Sequence, residues 1–222
     1  MAIRRVAEDV FHIPLTPRDG VNAYLLGDVV VDAGTKVTAK RLIRALHGHA
    51  LGAHALTHAH PDHAGASKRL VEAYDVPVWV GEHDRDAVEA GRPPTPETWA
   101  KPAVSRVGHF APVSVARSLR EGDDLGHGFI VLETPGHADG HLAFWRESDR
   151  TLVAGDVLFN MNVLTTVPGL HEPPRILTRD PRRNRESARR LAALEPELVL
   201  FGHGPPLRDP AALTAFADAL EA

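Results

Sequence analysis

The sequence predicts an α/β protein folded as a four-layer αββα sandwich, with residues 1–222 forming one domain. Three observations support this. Short β-like runs fall into two groups along the chain, and helix-like runs accompany each group, as expected when two sheets stack with helices outside. The 222 residues suffice for one substantial core but not for this architecture plus a sizeable second domain. Glycine or proline punctuates most junctions between runs, so the elements are short and joined by tight turns.

The first group opens with β-like runs at 10–15, 21–26 and 29–32, rich in valine, leucine and isoleucine. A helix-like run follows at 36–47, then a strand at 53–56, a helix at 64–74, a strand at 76–80 and a helix at 82–90. The second group comprises strands at 129–132, 141–145, 151–154 and 198–201, with helices at 182–194 and 210–220. Two segments read as irregular: 91–112, rich in proline, and 159–179, which carries Pro168, Gly169, Pro173 and Pro174. Long loops in compact domains are commonly lids or binding loops. Substrate contacts are therefore expected from Phe159, Met161, Trp99 or Phe110, with simple packing as the alternative for each.

Chemistry is concentrated in Thr57-His58-Ala59-His60-Pro61-Asp62-His63. Imidazole nitrogens and an ionised carboxylate are what a divalent first-row metal prefers. His58 and His60 are two apart, so on an extended segment they project to one side and share one metal. Asp62 and His63 are adjacent and enter a helix-like run, where they face a second metal beside the first. Further ligand candidates follow β-like runs: His137 in Thr134-Pro135-Gly136-His137, Asp156 after Ala154-Gly155, and His203 after Phe201-Gly202. Strands that deliver loop residues to one sheet edge commonly build sites this way.

These motifs resemble, in order and spacing, those of the metallo-β-lactamase-fold hydrolase superfamily. The likeness runs from Val29-Val30-Val31-Asp32-Ala33-Gly34 through the HxHxDH stretch to Phe201-Gly202-His203-Gly204-Pro205-Pro206. It implies the four-layer sandwich of the metallo-β-lactamase type. It also implies that His58, His60 and His137 hold one metal, that Asp62, His63 and His203 hold a second, and that Asp156 bridges them. Zinc is the expected metal, with iron or manganese as alternatives. An aspartate at 156, in place of a thiolate, agrees with the thioesterase-like, lactonase-like and nuclease-like dinuclear branches, among which the chain most resembles the glyoxalase II-like (hydroxyacylglutathione hydrolase-like) one. The chain runs only about twenty residues past His203, so the C-terminal glutathione-binding region of that branch is not expected.

The expected reaction is metal-assisted hydrolysis. Two cations roughly 3.5–4 Å apart share a water and lower its pKa toward 7. Asp62 is the expected catalytic residue, orienting the hydroxide and passing a proton to the leaving group. No side-chain nucleophile is expected, because the chain has no cysteine and no G-x-S-x-G elbow. A small ester, thioester or lactone is the favoured substrate. A mononuclear-iron persulfide dioxygenase-like oxidoreductase, a phosphodiesterase or nuclease, and a non-catalytic metal-bound module are the alternatives.

Other features take plainer readings. Of 14 histidines, His12, His47, His49, His54, His83, His109, His127 and His171 are read as surface or loop residues. His141 is assigned a supporting role and Asp32 a place beside the site. The arginine-rich run 179–190 reads as the solvated face of an amphipathic helix, with Leu191 and Leu194 turned inward. A net charge of −4 argues against a dedicated nucleic-acid binder. The absence of cysteine excludes disulfides and thiolate ligands. The N-terminal residues lack a signal-peptide core and no run spans a bilayer, so a cytoplasmic protein is expected, a homodimer being compatible.

Overall fold

Period-two alternation of apolar side chains organises both sheets. In β3 (Asn22–Leu26), Tyr24 and Leu26 join one buried cluster while Ala23 and Leu25 join another. In β4 (Val29–Val31), Val29 and Val31 go with the first set and Val30 with the second. The computed structural model describes residues 3–93 and 108–221. Trp99 lies outside them.

The first sheet has seven strands in chain order: β1 (Arg4–Ala7), β2 (Val10–Pro14), β3, β4, β5 (Ala53–Ala55), β6 (Val78–Gly81) and β7 (Arg117–Leu119). Pairing is antiparallel from β1 to β4 and parallel from β4 to β7. The second sheet contains β8 (Asp124–Gly126), β9 (Phe129–Glu133), β10 (Leu142–Arg146), β11 (Thr151–Gly155) and, parallel to β11 at one edge, β14 (Leu198–Phe201). Between β11 and β14 the chain forms an antiparallel hairpin of β12 (Phe159–Met161) and β13 (Pro168–His171).

Three buried clusters define the layers. Val10, Tyr24, Val31, Phe129, Phe144, Val153 and Leu200 fill the space between the sheets. Phe129 and Phe144 have no exposed surface, and burying such a side chain stabilises by roughly 1.5–3 kcal/mol. Outside the first sheet, α1 (Ala39–Ala45) and α3 (Ser67–Tyr74) place Leu42 and Leu70 against Ile13, Leu25 and Val30. Outside the second, α5 (Pro181–Ala192) and α6 (Pro210–Asp218) place Ala188, Leu191 and Leu213 against Trp145, Leu152 and Val199. The expected αββα order is therefore present. Both outer helices begin at an aspartate cap followed by proline: Asp180 accepts from Arg183 N at 3.0 Å and Asp209 from Ala212 N at 2.9 Å.

Several boundaries differ from expectation for local reasons. The helix expected at 36–47 starts at Ala39, because Thr38 first closes a turn, its N–H and hydroxyl both donating to Thr35 O. The helix expected at 64–74 is two pieces, α2 (Pro61–Ala64) and α3. The break falls at Gly65, where a Cβ would collide with Pro61 O and lie 2.8 Å from Gly34 O. The run 82–90 starts as a 3₁₀ turn at Glu82–Asp84 and continues as α4 (Arg85–Ala90). The segment 159–179, read as irregular, contains the β12–β13 hairpin. Strands β1, β7 and β8 were not expected; they are short and carry arginine or aspartate where a pattern reading needs apolar residues. Among the described residues no helix is long and apolar enough to cross a membrane.

Candidate metal centre

Strand ends bring the predicted residues together. His58 and His60 follow β5, and Asp62 and His63 sit on α2, with Pro61 at its first position. His137 follows β9, Asp156 follows β11, and His203 follows β14. All seven converge. Potential ligand atoms lie within 4.8 Å of one another in three overlapping sets: His58, His60 and His137; His58, His63 and Asp156; Asp62, His63 and His203.

In the first set, His60 Nδ1 lies 3.0 Å from His58 Nε2 and 2.9 Å from His137 Nε2. Burial holds all three imidazoles below their ordinary pKa, reinforced at His58 by His63 and His60 and at His137 by His60. Three neutral rings thus aim nitrogens at one small volume, an arrangement suited to sharing a cation. The set of Asp62, His63 and His203, with Asp156 beside it, is acid-rich. His203 Nε2 lies 3.3 Å from both Asp62 Oδ2 and Asp156 Oδ2, and His63 Nε2 lies 3.3 Å from Asp156 Oδ2. Burial alone would lower the pKa of His203, but Asp156 and Asp62 outweigh it and raise it to about 10. His63 is likewise raised against burial, by Asp156 and Asp32. Asp62 and Asp156 are correspondingly held well below the carboxylate range, although burial opposes this.

Asp156 Oδ2 occupies the middle, with nitrogens of His63, His203, His137 and His58 at 3.3, 3.3, 3.5 and 3.8 Å. Among the described residues, His63 Nε2 and Asp156 Oδ1 are buried with no hydrogen-bond partner. A buried carboxylate oxygen without a donor is costly. A cation between the two sets answers that cost, so the residues fit a metal.

The supporting contacts fix each ring's orientation. Asp32, in a left-handed conformation at φ 60°, accepts from Thr57 N at 2.8 Å and from Thr57 Oγ1, and its Oδ2 lies 2.8 Å from His63 Nδ1. The nearby-but-not-ligating place expected for Asp32 agrees with this. His203 Nδ1–H donates to Gly20 O at 2.6 Å, which leaves Nε2 facing the acids. His141 Nε2 accepts Asp156 N–H at 3.0 Å, so its proton is on Nδ1 and goes to Thr134 Oγ1 at 2.8 Å. Burial lowers the His141 pKa to about 4, which keeps that acceptor available. Its predicted supporting role is thereby given a partner.

Sequence reasoning missed Asp84. This buried carboxylate accepts Ala59 N–H at 2.8 Å, between His58 and His60. It also packs against Gly140, where a Cβ would lie 2.6 Å from Asp84 Cγ. Asp84 thus ties the His58–His60 segment to the loop that carries His137, and burial raises its pKa to about 6. No local motif marks it, because an acid opening a helix normally reads as a cap.

Two other expectations change. His12 and His54 are fully buried rather than surface residues. His54 spans from Val30 O at 3.1 Å to Ser67 Oγ at 2.8 Å, satisfying both nitrogens inside the first sheet's helix layer. Of the aromatic candidates, Phe159 packs its ring 4.5 Å from that of His203 and 6.4 Å from that of His137. Phe110 instead joins a buried cluster with Val80 and Val88, so it is packing. Leu191 on α5 is buried and Leu194, just past its end, is half-buried, as the amphipathic reading requires, but Arg185 of the expected solvated face is buried and paired with Glu172 at 2.6 Å.

A histidine-rich centre set where strand ends meet, between the sheets of a four-layer sandwich, defines an α/β metalloprotein class. The chain belongs to the metallo-beta-lactamase superfamily, whose family model matches residues 16–203. It is 32% identical to a probable metallo-hydrolase, YflN of Bacillus subtilis, over 81% of this chain and 76% of that one. A hydroxyacylglutathione hydrolase of Bdellovibrio bacteriovorus is 28% identical over 68% of this chain, a match spanning 48% of that protein. Among solved structures, TTHA1623 in a di-iron-bound form superposes with a TM-score of 0.68 at 33% identity, covering 89% of this chain and 94% of that one.

Proposed function

We propose that the chain is a dinuclear metal-dependent hydrolase acting on a small ester, thioester or lactone. His58, His60 and His137 hold one divalent cation, Asp62, His63 and His203 hold the other, and Asp156 lies between them. The observation that carries this reading is Asp156 Oδ1, buried without a hydrogen-bond donor where the donor sets meet, while nitrogens of four histidines lie within 3.8 Å of its Oδ2. When bound, such cations acidify water and polarise the carbonyl under attack. Zinc is the metal favoured by an imidazole and carboxylate donor set. The di-iron form of TTHA1623 supports iron as the alternative.

The chain's own residues divide the remaining work. Asp62 is the more open of the two carboxylates, with its side chain 36% exposed against 3% for Asp156. It is therefore the group that meets substrate; ionised at rest, it would take a proton from the attacking water and pass it on to the leaving group. Asp156 stays buried and structural to the centre. Phe159, against His203 and His137, supplies an apolar wall that keeps bulk water from that side. Acyl substrates are supported by the likeness to the Bdellovibrio relative, a hydroxyacylglutathione hydrolase.

A panel of ester, thioester, lactone, phosphodiester and persulfide substrates tests the assignment. Turnover of a carbonyl substrate, lost on chelation and regained with added divalent metal, is the expected result. Hydrolysis that survives chelation would remove the metal from the mechanism. Oxygen consumption on the persulfide without hydrolysis would place the chain among iron oxidoreductases.

A further inference from the structure

The turn that carries His203 is held by a different sheet from the one that delivers it. Residue 203 follows β14 of the second sheet, yet three carbonyls of that turn point at β3 of the first. Asn22 N–H donates to Gly202 O at 3.0 Å, and Asn22 Nδ2 donates to Phe201 O at 3.0 Å and Gly204 O at 2.8 Å. Tyr24, two residues along and therefore on the same face of β3, donates its hydroxyl to Phe201 O at 2.6 Å. Both residues are essentially without solvent exposure.

The amide has one orientation. Its NH₂ faces two carbonyls, so Oδ1 faces His12 Nε2 at 2.8 Å, which must then carry the imidazole proton. His12 pairs across the β2–β3 ladder with Tyr24, their rings stacked at 5.4 Å. His12 thus locks Asn22, and Asn22 with Tyr24 sets the path of residues 201–204. On that path the ring of His203 places its Nδ1–H 2.6 Å from Gly20 O, two residues before Asn22.

We infer that Asn22, locked by His12 and assisted by Tyr24, is a positioning residue that sets the affinity of the His203-containing metal position and not that of the His58–His60–His137 position. The inference rests on the dinuclear reading. No comparable contact runs from Asn22 to the first set, whose segments are tied instead through Asp84. The two positions share Asp156 but are tied differently: Asn22 contacts the turn of His203 and none of His58, His60 and His137, so a change at β3 acts directly on one position alone.

The test is stepwise cobalt(II) titration, followed by visible absorption, of metal-free wild type, Asn22→Asp and Tyr24→Phe. Asn22→Asp keeps the size of the side chain but turns a carboxylate oxygen toward two carbonyls. Loss of an outer contact of this kind typically lowers metal affinity about 10–100-fold. The expected result is that weakening in one of the two equivalents, with the other unchanged. Tyr24→Phe removes one bond and leaves the ring packed, so it should weaken the same equivalent by a smaller factor, whether or not Asn22→Asp folds. Equal weakening of both equivalents, with a matching fall in the melting temperature of the metal-free variant, would make the role merely structural and overturn the inference. So would two unaltered equivalents in both variants. Uptake of a single equivalent by wild type itself would overturn the dinuclear reading first, and the inference with it.

Discussion

Asp156→Ala is expected to abolish turnover and to strip metal from both positions while the sandwich remains folded. Its Oδ2 lies within 3.8 Å of nitrogens from four histidines belonging to both sets. Removing it leaves His63 and His203 without the charge that holds them protonated in the metal-free protein and without the shared ligand in the loaded one. Breaking a buried charged pair from one side costs about 3–5 kcal/mol, and each 1.4 kcal/mol is about tenfold in affinity. Metal affinity should fall on the order of 10²–10⁴-fold. Metal content and turnover, measured beside far-ultraviolet circular dichroism, check this. A variant that keeps near-wild-type hydrolysis would show that Asp156 is a turn residue after β11 and no more.

Gly202→Ala should be nearly as damaging, although it adds only a methyl group. A Cβ at 202 would collide with Asp156 Oδ1 and lie 2.6 Å from His63 Cε1. Both neighbours are buried side chains of the centre, and neither has room to retreat. The methyl group must therefore displace a candidate ligand, and a displacement near 1 Å at a reacting centre typically costs about 10²-fold in rate. The kinetic test is turnover at saturating metal. A loss below about threefold would mean that the centre tolerates a shift of Asp156 and that the spacing between the two sets is not demanding.

Much of this was legible in the chain itself. The apolar runs at 21–26, 29–32 and 198–201 are nearly continuous because both faces of those strands are buried, one against the other sheet and one against helices. The seven site residues stood out because imidazole and carboxylate cluster at turns just past such strands, and the structure brings all seven together. What escaped has a common cause. Asp84, Asn22 and His12 act through contacts made only in the folded chain: Asp84 to the backbone of Ala59, Asn22 to the backbone of residues 201–204, and His12 to the side chain of Asn22. A residue that serves a carbonyl 179 positions away leaves no spacing for a pattern to catch. The buried His12 and His54 were read as exposed for the same reason, since their partners, Asn22 and Ser67, are brought to them only by the sheet and the helix above it.

Counting metal equivalents per chain, on protein purified without added metal, tests the central claim most directly. Two equivalents of zinc, iron or manganese per chain are predicted, one for each set of donors around Asp156. One equivalent that no amount of added metal raises to two would contradict a dinuclear centre and reduce Asp62, His63 and His203 to an ion-paired cluster beside a single-metal site.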